Sequence, residues 1–176
     1  MNILIAYASK YGTTKTCVDR LANALQGKDV TVVSLEENTV DPAAFDIVVF
    51  GSSVYFGKLR PAARRFLETY EETLRQKHLA LFLCGGLEVE YEYYRDKFFS
   101  PALQDTAFDV MYFGGTLKTQ GLSFWDKLVV RSMRSSLFEA DMDNGEYTPT
   151  YPVILPENVD KLASHIREIF ARSKNG

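Results

Sequence analysis

Cysteine is scarce. Cys17 and Cys84 are the only two in 176 residues. Their separation has no metal-ligand spacing, and two thiols make no disulfide framework, so a reducing, cytoplasmic setting is the expectation. Histidine is equally scarce, with only His78 and His165. No apolar run approaches the roughly 18 residues of a membrane span. No basic-then-apolar leader precedes the first apolar run, and no repeat or low-complexity tract is visible. An excess of positive charge is also missing. The net charge is -3, which argues against nucleic acid, because neutralising phosphates needs a clustered cationic surface.

What remains is an ordinary globular composition, with 46% apolar and 24% charged residues. The length predicts one domain over residues 1–176. Five short apolar runs stand out: Ile3 to Tyr7, Val30 to Val33, Ile47 to Phe50, Leu79 to Leu83 and Val110 to Phe113. Most are continuous rather than alternating, as in strands buried on both faces. Helical spacing lies between them, over about 14–26, 61–75, 91–103 and 159–170. Strands alternating with helices predict right-handed crossovers and a doubly wound parallel α/β sheet. Five strands fit the order 2-1-3-4-5. In that arrangement the ligand crevice lies at the carboxyl ends of the strands. The loops to weigh are therefore 8–14, 51–58 and 84–91.

The first loop is Ser9-Lys10-Tyr11-Gly12-Thr13-Thr14. It combines hydroxyls and a glycine with the start of a helix, whose free N–H groups and dipole favour an anion. The bland alternative is a helix cap with a solvated lysine. A Walker loop and a Gly-x-Gly-x-x-Gly fingerprint are both absent. The second loop is Gly51-Ser52-Ser53-Val54-Tyr55-Phe56-Gly57-Lys58. Its aromatic pair reads either as a flat shelf for a ring or as packing on the following helix. It nearly spells a nucleophile elbow, but the last glycine of Gly-x-Ser-x-Gly is missing and neither histidine suits a triad. A phospho-receiver is discarded because its acids would fall where Ala8-Ser9 and Phe50-Gly51 stand. The third loop runs Cys84-Gly85-Gly86-Leu87-Glu88, with Tyr91 beyond it. Paired glycines let backbone approach a ligand. Cys84 itself reads as a buried strand end rather than a redox thiol, and Tyr91-Glu92-Tyr93-Tyr94 reads equally as a helix start.

About 45 residues separate strand 5 from the last helix, an excess usually tied to function or disorder. Residues 118–138 carry Lys118, Lys127, Arg131 and Arg134 against Asp126 alone. From Phe124 the spacing predicts a basic amphipathic helix, with Trp125, Leu128, Val129 and Met133 on one face. Such a segment can pack on the domain, dock a partner or lie on an anionic membrane surface. Acids then follow at Glu139, Asp141, Asp143 and Glu146.

The first loop resembles the flavodoxin phosphate loop, Thr/Ser-x-Thr-Gly-x-Thr, with Tyr11 replacing a threonine. The resemblance implies an FMN-binding flavodoxin-like fold. It implies cofactor contacts from Ser9, Lys10, Tyr11, Gly12, Thr13 and Thr14, from Ser52, Ser53, Val54, Tyr55, Phe56 and Gly57, and from Cys84, Gly85, Gly86, Glu88 and Tyr91. Tyr55 takes the aromatic position that the family often fills with tryptophan, Phe56 replaces the following glycine, and Gly57 comes one residue late. The insert, placed at about 118–148, resembles the basic aromatic insert of menaquinone-dependent protoporphyrinogen dehydrogenases. So do Gly51–Gly57 and Gly114-Gly115-Thr116-Leu117. That resemblance implies an oxidoreductase taking a small substrate and a quinone, peripheral at the inner face of the membrane through 124–138. A one-electron carrier docking with redox proteins is the alternative, and a nicotinamide-fed quinone or nitro-compound reductase is a third. No catalytic acid or base and no metal ligand is predicted.

Overall fold

A computed structural model describes residues 1–85, 90–115 and 153–173. The sheet is built from β1 (Asn2–Ala8), β2 (Asp29–Ser34), β3 (Ile47–Tyr55), β5 (His78–Cys84) and β6 (Asp109–Tyr112) in the order β2-β1-β3-β5-β6. All four of these pairings are parallel. The remaining strand, β4 (Lys58–Leu59), pairs antiparallel with the end of β3. Leaving β4 aside, this is the 2-1-3-4-5 order expected from the apolar runs.

Continuous apolar strands follow from cover on both faces. Along β1, Ile3, Ile5 and Tyr7 pack against α1 (Thr13–Ala24) and α5 (Pro156–Ser173), through Cys17, Val18, Leu21, Leu162 and Ile166. The intervening Leu4 and Ala6 face the opposite layer. There they meet Ala63, Phe66 and Leu67 of α2 (Pro61–Leu74), together with Phe99 and Leu103. Both sets of core side chains are buried, and successive residues of a strand alternate between the layers. β2 is different. It is an edge strand and leaves Val32 42% exposed.

Two expected boundaries move. The single helix expected over 91–103 is two, α3 (Tyr91–Phe98) and α4 (Pro101–Thr106). Ser100 is extended before Pro101 and caps α4 by accepting from the Leu103 amide at 3.3 Å. A residue before proline is pushed out of the helical region, so the chain must break there. The second correction is larger. β3 does not stop at Phe50 but continues to Tyr55. At Gly51 a Cβ would stand 1.9 Å from the Phe82 ring. The missing side chain makes room for Phe82, which stacks on Phe113 at 4.3 Å.

Because the strands are parallel, the exits of β1, β3, β5 and β6 share one edge of the sheet. The chain after β6 is tied down there. Gly85 donates to the Gly114 carbonyl at 2.8 Å, and Gly115 to the Val153 carbonyl at 3.0 Å. Gly114 and Ile154 form an antiparallel bridge. The expected insert at 118–148, with its 124–138 amphipathic helix, lies outside the described residues, as do Gly86 and Glu88. Among the described residues no helix is long and apolar enough to cross a membrane.

Candidate functional site at the carboxyl edge

The β1–α1 loop turns at Gly12, whose φ of 86° is left-handed, a conformation that glycine adopts without steric cost. Gly12 is the N-cap residue of α1, and no side chain caps the helix. Ser9 Oγ instead accepts from the Gly12 amide at 3.0 Å, which closes the loop on itself. Thr14, in the first turn, is fully buried, and its Oγ1 makes no hydrogen bond of ordinary geometry, with the Cys84 sulfur as a weak neighbour. A buried unsatisfied hydroxyl costs about 1–3 kcal/mol. Lys10 and Tyr11 reach across to the next loop. The Lys10 ammonium lies 3.6 Å from the Tyr55 ring centroid and 5.0 Å from that of Tyr11. The Tyr11 and Tyr55 rings meet edge to face at 5.6 Å, with their hydroxyls 3.4 Å apart.

The second loop is mostly strand. Gly51 to Tyr55 belong to β3, and only Phe56 and Gly57 turn the chain into β4. Their φ angles are 48° and 65°. A two-residue hairpin with both φ positive suits Asn-Gly, so Phe56 is held in a region that non-glycine residues seldom occupy. Phe56 is 39% exposed, and its ring lies 4.1 Å from that of Tyr55. From α3, Lys97 Nζ donates to the Gly57 carbonyl at 3.1 Å and pins the turn. Within the strand, Ser52 is fully buried and donates to the Ser53 carbonyl at 3.2 Å. Val54 is buried and pairs with Leu59. The Ser53 hydroxyl is buried without a partner.

In the third loop, Cys84 is the fully buried last residue of β5. Tyr91 opens α3, and its ring lies 5.4 Å from that of Tyr112. Its hydroxyl is buried without a partner, and burial pushes its pKa up to about 12. Raising the folded pKa above the unfolded value of 10.0 has a definite sign. The folded state keeps its proton while the unfolded chain loses it, so stability falls as pH climbs from about 10 to about 12. Urea unfolding at both ends of that window should show the loss in the parent protein. It should be smaller in Tyr91→Phe, which has no proton to lose.

Thr14 Oγ1, Ser53 Oγ and Tyr91 Oη are the buried side-chain oxygens without partners among the described residues. One follows β1, one lies near the end of β3, and one lies beyond β5. The structure therefore brings together the first loop, the β3 hairpin and the start of α3. Lys97 and Tyr112 join this edge without any local signal in the sequence to announce them. His165 lies elsewhere. It pairs with Asp109, at the amino end of β6, at 2.6 Å. Two shallow depressions of about 430 and 380 Å³ also lie at that opposite edge, beside Met1. Among the described residues no group of histidine, cysteine and carboxylate side chains is placed to hold a metal ion.

Comparison with known proteins follows the same line. The fold is similar to a flavodoxin of Fusobacterium nucleatum solved with flavin mononucleotide bound, at TM-score 0.56 and 14% identity, covering 95% of this chain and 97% of that one. It is similar to oxidised flavodoxin 1 of Bacillus cereus, at TM-score 0.53 and 13% identity, over 80% and 99% of the two chains. A flavodoxin of Streptococcus pneumoniae aligns at TM-score 0.50 and 18% identity, over 93% and 96%. None of the curated proteins matches the chain. The model of the flavodoxin domain matches residues 4–142, well over half of the sequence, and by that match the chain belongs to the flavodoxin-domain family.

Proposed function

We propose that the carboxyl edge holds FMN and that the chain is a flavodoxin-domain redox protein exchanging electrons with a partner protein. The observation that carries this reading is the set of three buried hydroxyls without partners, one from each region around the site. A phosphate and a flavin ring bring the acceptors and donors that such groups lack. Bound FMN supplies one- and two-electron transfer, and the protein positions it.

The residues divide the work. Thr14 Oγ1 and the uncapped start of α1 donate to the phosphate, with Ser9 shaping the loop. Tyr55 and Phe56 offer the aromatic shelf, steadied by Tyr11 and pinned by Lys97. Lys10 adds positive charge beside that shelf. Ser53 and Tyr91 each have a hydroxyl to donate. The test is spectroscopic. Flavin absorption that persists through gel filtration, or saturable uptake of FMN by the apoprotein, is the expected result. Failure of both would overturn the reading.

A second reading rests on the segment Phe124-Trp125-Asp126-Lys127-Leu128-Val129-Val130-Arg131. Its basic and aromatic character favours a quinone-linked dehydrogenase of the protoporphyrinogen-oxidising type, touching an anionic membrane surface. Two-electron turnover with a quinone, lost when Trp125, Lys127 and Arg131 are replaced together, supports the enzyme. A stable neutral semiquinone on stepwise reduction supports the carrier.

A further inference from the structure

The chain's only two cysteines come together. Cys17 Sγ and Cys84 Sγ are 3.9 Å apart, with the Cys84 thiol donating to Cys17. Both side chains are fully buried in the core shared by α1, α5 and the sheet. Cys17 lies on α1 one turn beyond Thr14, and Cys84 ends β5 immediately before Gly85. The Thr14 hydroxyl is itself a neighbour of the Cys84 thiol. The pair therefore sits under the phosphate seat and joins it to the third loop.

We infer that Cys17 and Cys84 form an oxidisable dithiol, closed to a disulfide by hydrogen peroxide, and that the closed form seats FMN less tightly. The second half rests on the FMN reading above. The two sulfurs are chemically unequal. The hydrogen bond from Cys84 lowers the Cys17 pKa, while burial holds that of Cys84 well up. Cys17, which accepts the hydrogen bond and lies on the helix whose first turn opens, is assigned as the attacking sulfur and Cys84 as the resolving one. The Cys17 thiolate attacks one peroxide oxygen and the O–O bond breaks. This leaves a sulfenic acid on Cys17 and, after protonation, one water. The Cys84 sulfur then attacks the Cys17 sulfur. The S–S bond forms, the S–O bond breaks, and the hydroxyl leaves with the Cys84 proton as a second water. Two thiols lose one electron each, and the peroxide gains both.

Peroxide is water-sized and uncharged, and its route is a local opening of the first turn of α1, where no side chain caps the helix. Closure has a structural cost. A disulfide needs its sulfurs about 2.05 Å apart, so the pair must draw in from 3.9 Å. Cys17 lies one turn beyond Thr14 on α1, so any shift of that turn reaches the Thr14 hydroxyl.

The experiment uses apoprotein treated with peroxide, then denatured, alkylated and weighed intact without reductant. The expected product has lost two hydrogens, takes up no alkylating reagent, and regains both thiols with dithiothreitol. Its dissociation constant for FMN should rise by about tenfold or more and return on reduction. Cys17→Ser and Cys84→Ser should each fail to give the product while keeping the parent far-ultraviolet circular dichroism. Two thiols still alkylated after peroxide, or a thiol carrying added oxygen in place of the bond, would overturn the dithiol. A disulfide that leaves FMN affinity unchanged would overturn the coupling. The mass measurement decides the first half even if the protein binds no flavin.

Discussion

Thr14→Val should weaken FMN binding by between about tenfold and a hundredfold and leave the apoprotein at least as stable as its parent. The two effects have opposite signs for one reason. In the apoprotein the Thr14 hydroxyl is fully buried with no partner better than the weakly interacting Cys84 sulfur, so a methyl of similar shape removes a poorly satisfied polar group, whose burial costs up to about 1–3 kcal/mol. With a phosphate in place the same hydroxyl becomes a donor to an anion, a bond worth about 1.5–3 kcal/mol. Urea midpoints of the apoproteins and FMN titration by fluorescence quenching read the two halves separately. A valine variant that loses both stability and affinity would show that Thr14 serves the fold. One that binds FMN normally would move the phosphate seat elsewhere.

Gly51→Ala should destabilise the fold by about 2–3 kcal/mol, the upper part of the range for overpacked cores. The added Cβ would stand within 1.9 to 2.3 Å of three atoms of the Phe82 ring. That ring is fully buried and stacked on Phe113, also fully buried, so neither can swing into solvent. The rescue is specific. Phe82→Leu on its own costs stability by removing ring contacts, but in the Gly51→Ala background it should restore part of the loss. A double-mutant cycle in urea should therefore give a favourable coupling. Additive losses would mean that the ring accommodates the methyl elsewhere.

The parallel sheet was legible because its strands are buried on both faces, and runs such as Ile3 to Tyr7 contain almost nothing polar. The tight turn into α1 was legible because Ser9, Gly12 and Thr14, which shape it, are local. The full length of β3 was not. Gly51-Ser52-Ser53 looks like a loop when read alone, and only Phe82, from another strand, explains why glycine sits inside a strand there. Nor did the sequence show what holds the Tyr55–Phe56 aromatic pair in place. Lys10 over Tyr55, and Lys97 on the Gly57 carbonyl, depend on which loops the topology brings side by side. Phe56 runs against local rules outright, since a residue with its φ of 48° would be read as glycine or asparagine. Cys17 and Cys84 are far apart in sequence, and their contact follows from the packing of α1 on one face of the sheet.

The bridge between Gly114 and Ile154 bears on everything between them. The chain leaves the sheet and rejoins it at adjacent points, fastened by the bond from Gly115 to Val153. Gly115 and Val153, the described residues on either side of 116–152, are therefore held side by side at the carboxyl edge beside the candidate site. Closure entropy by itself barely opposes a change in the length of chain between those two points, costing about 0.6 kcal/mol for each doubling.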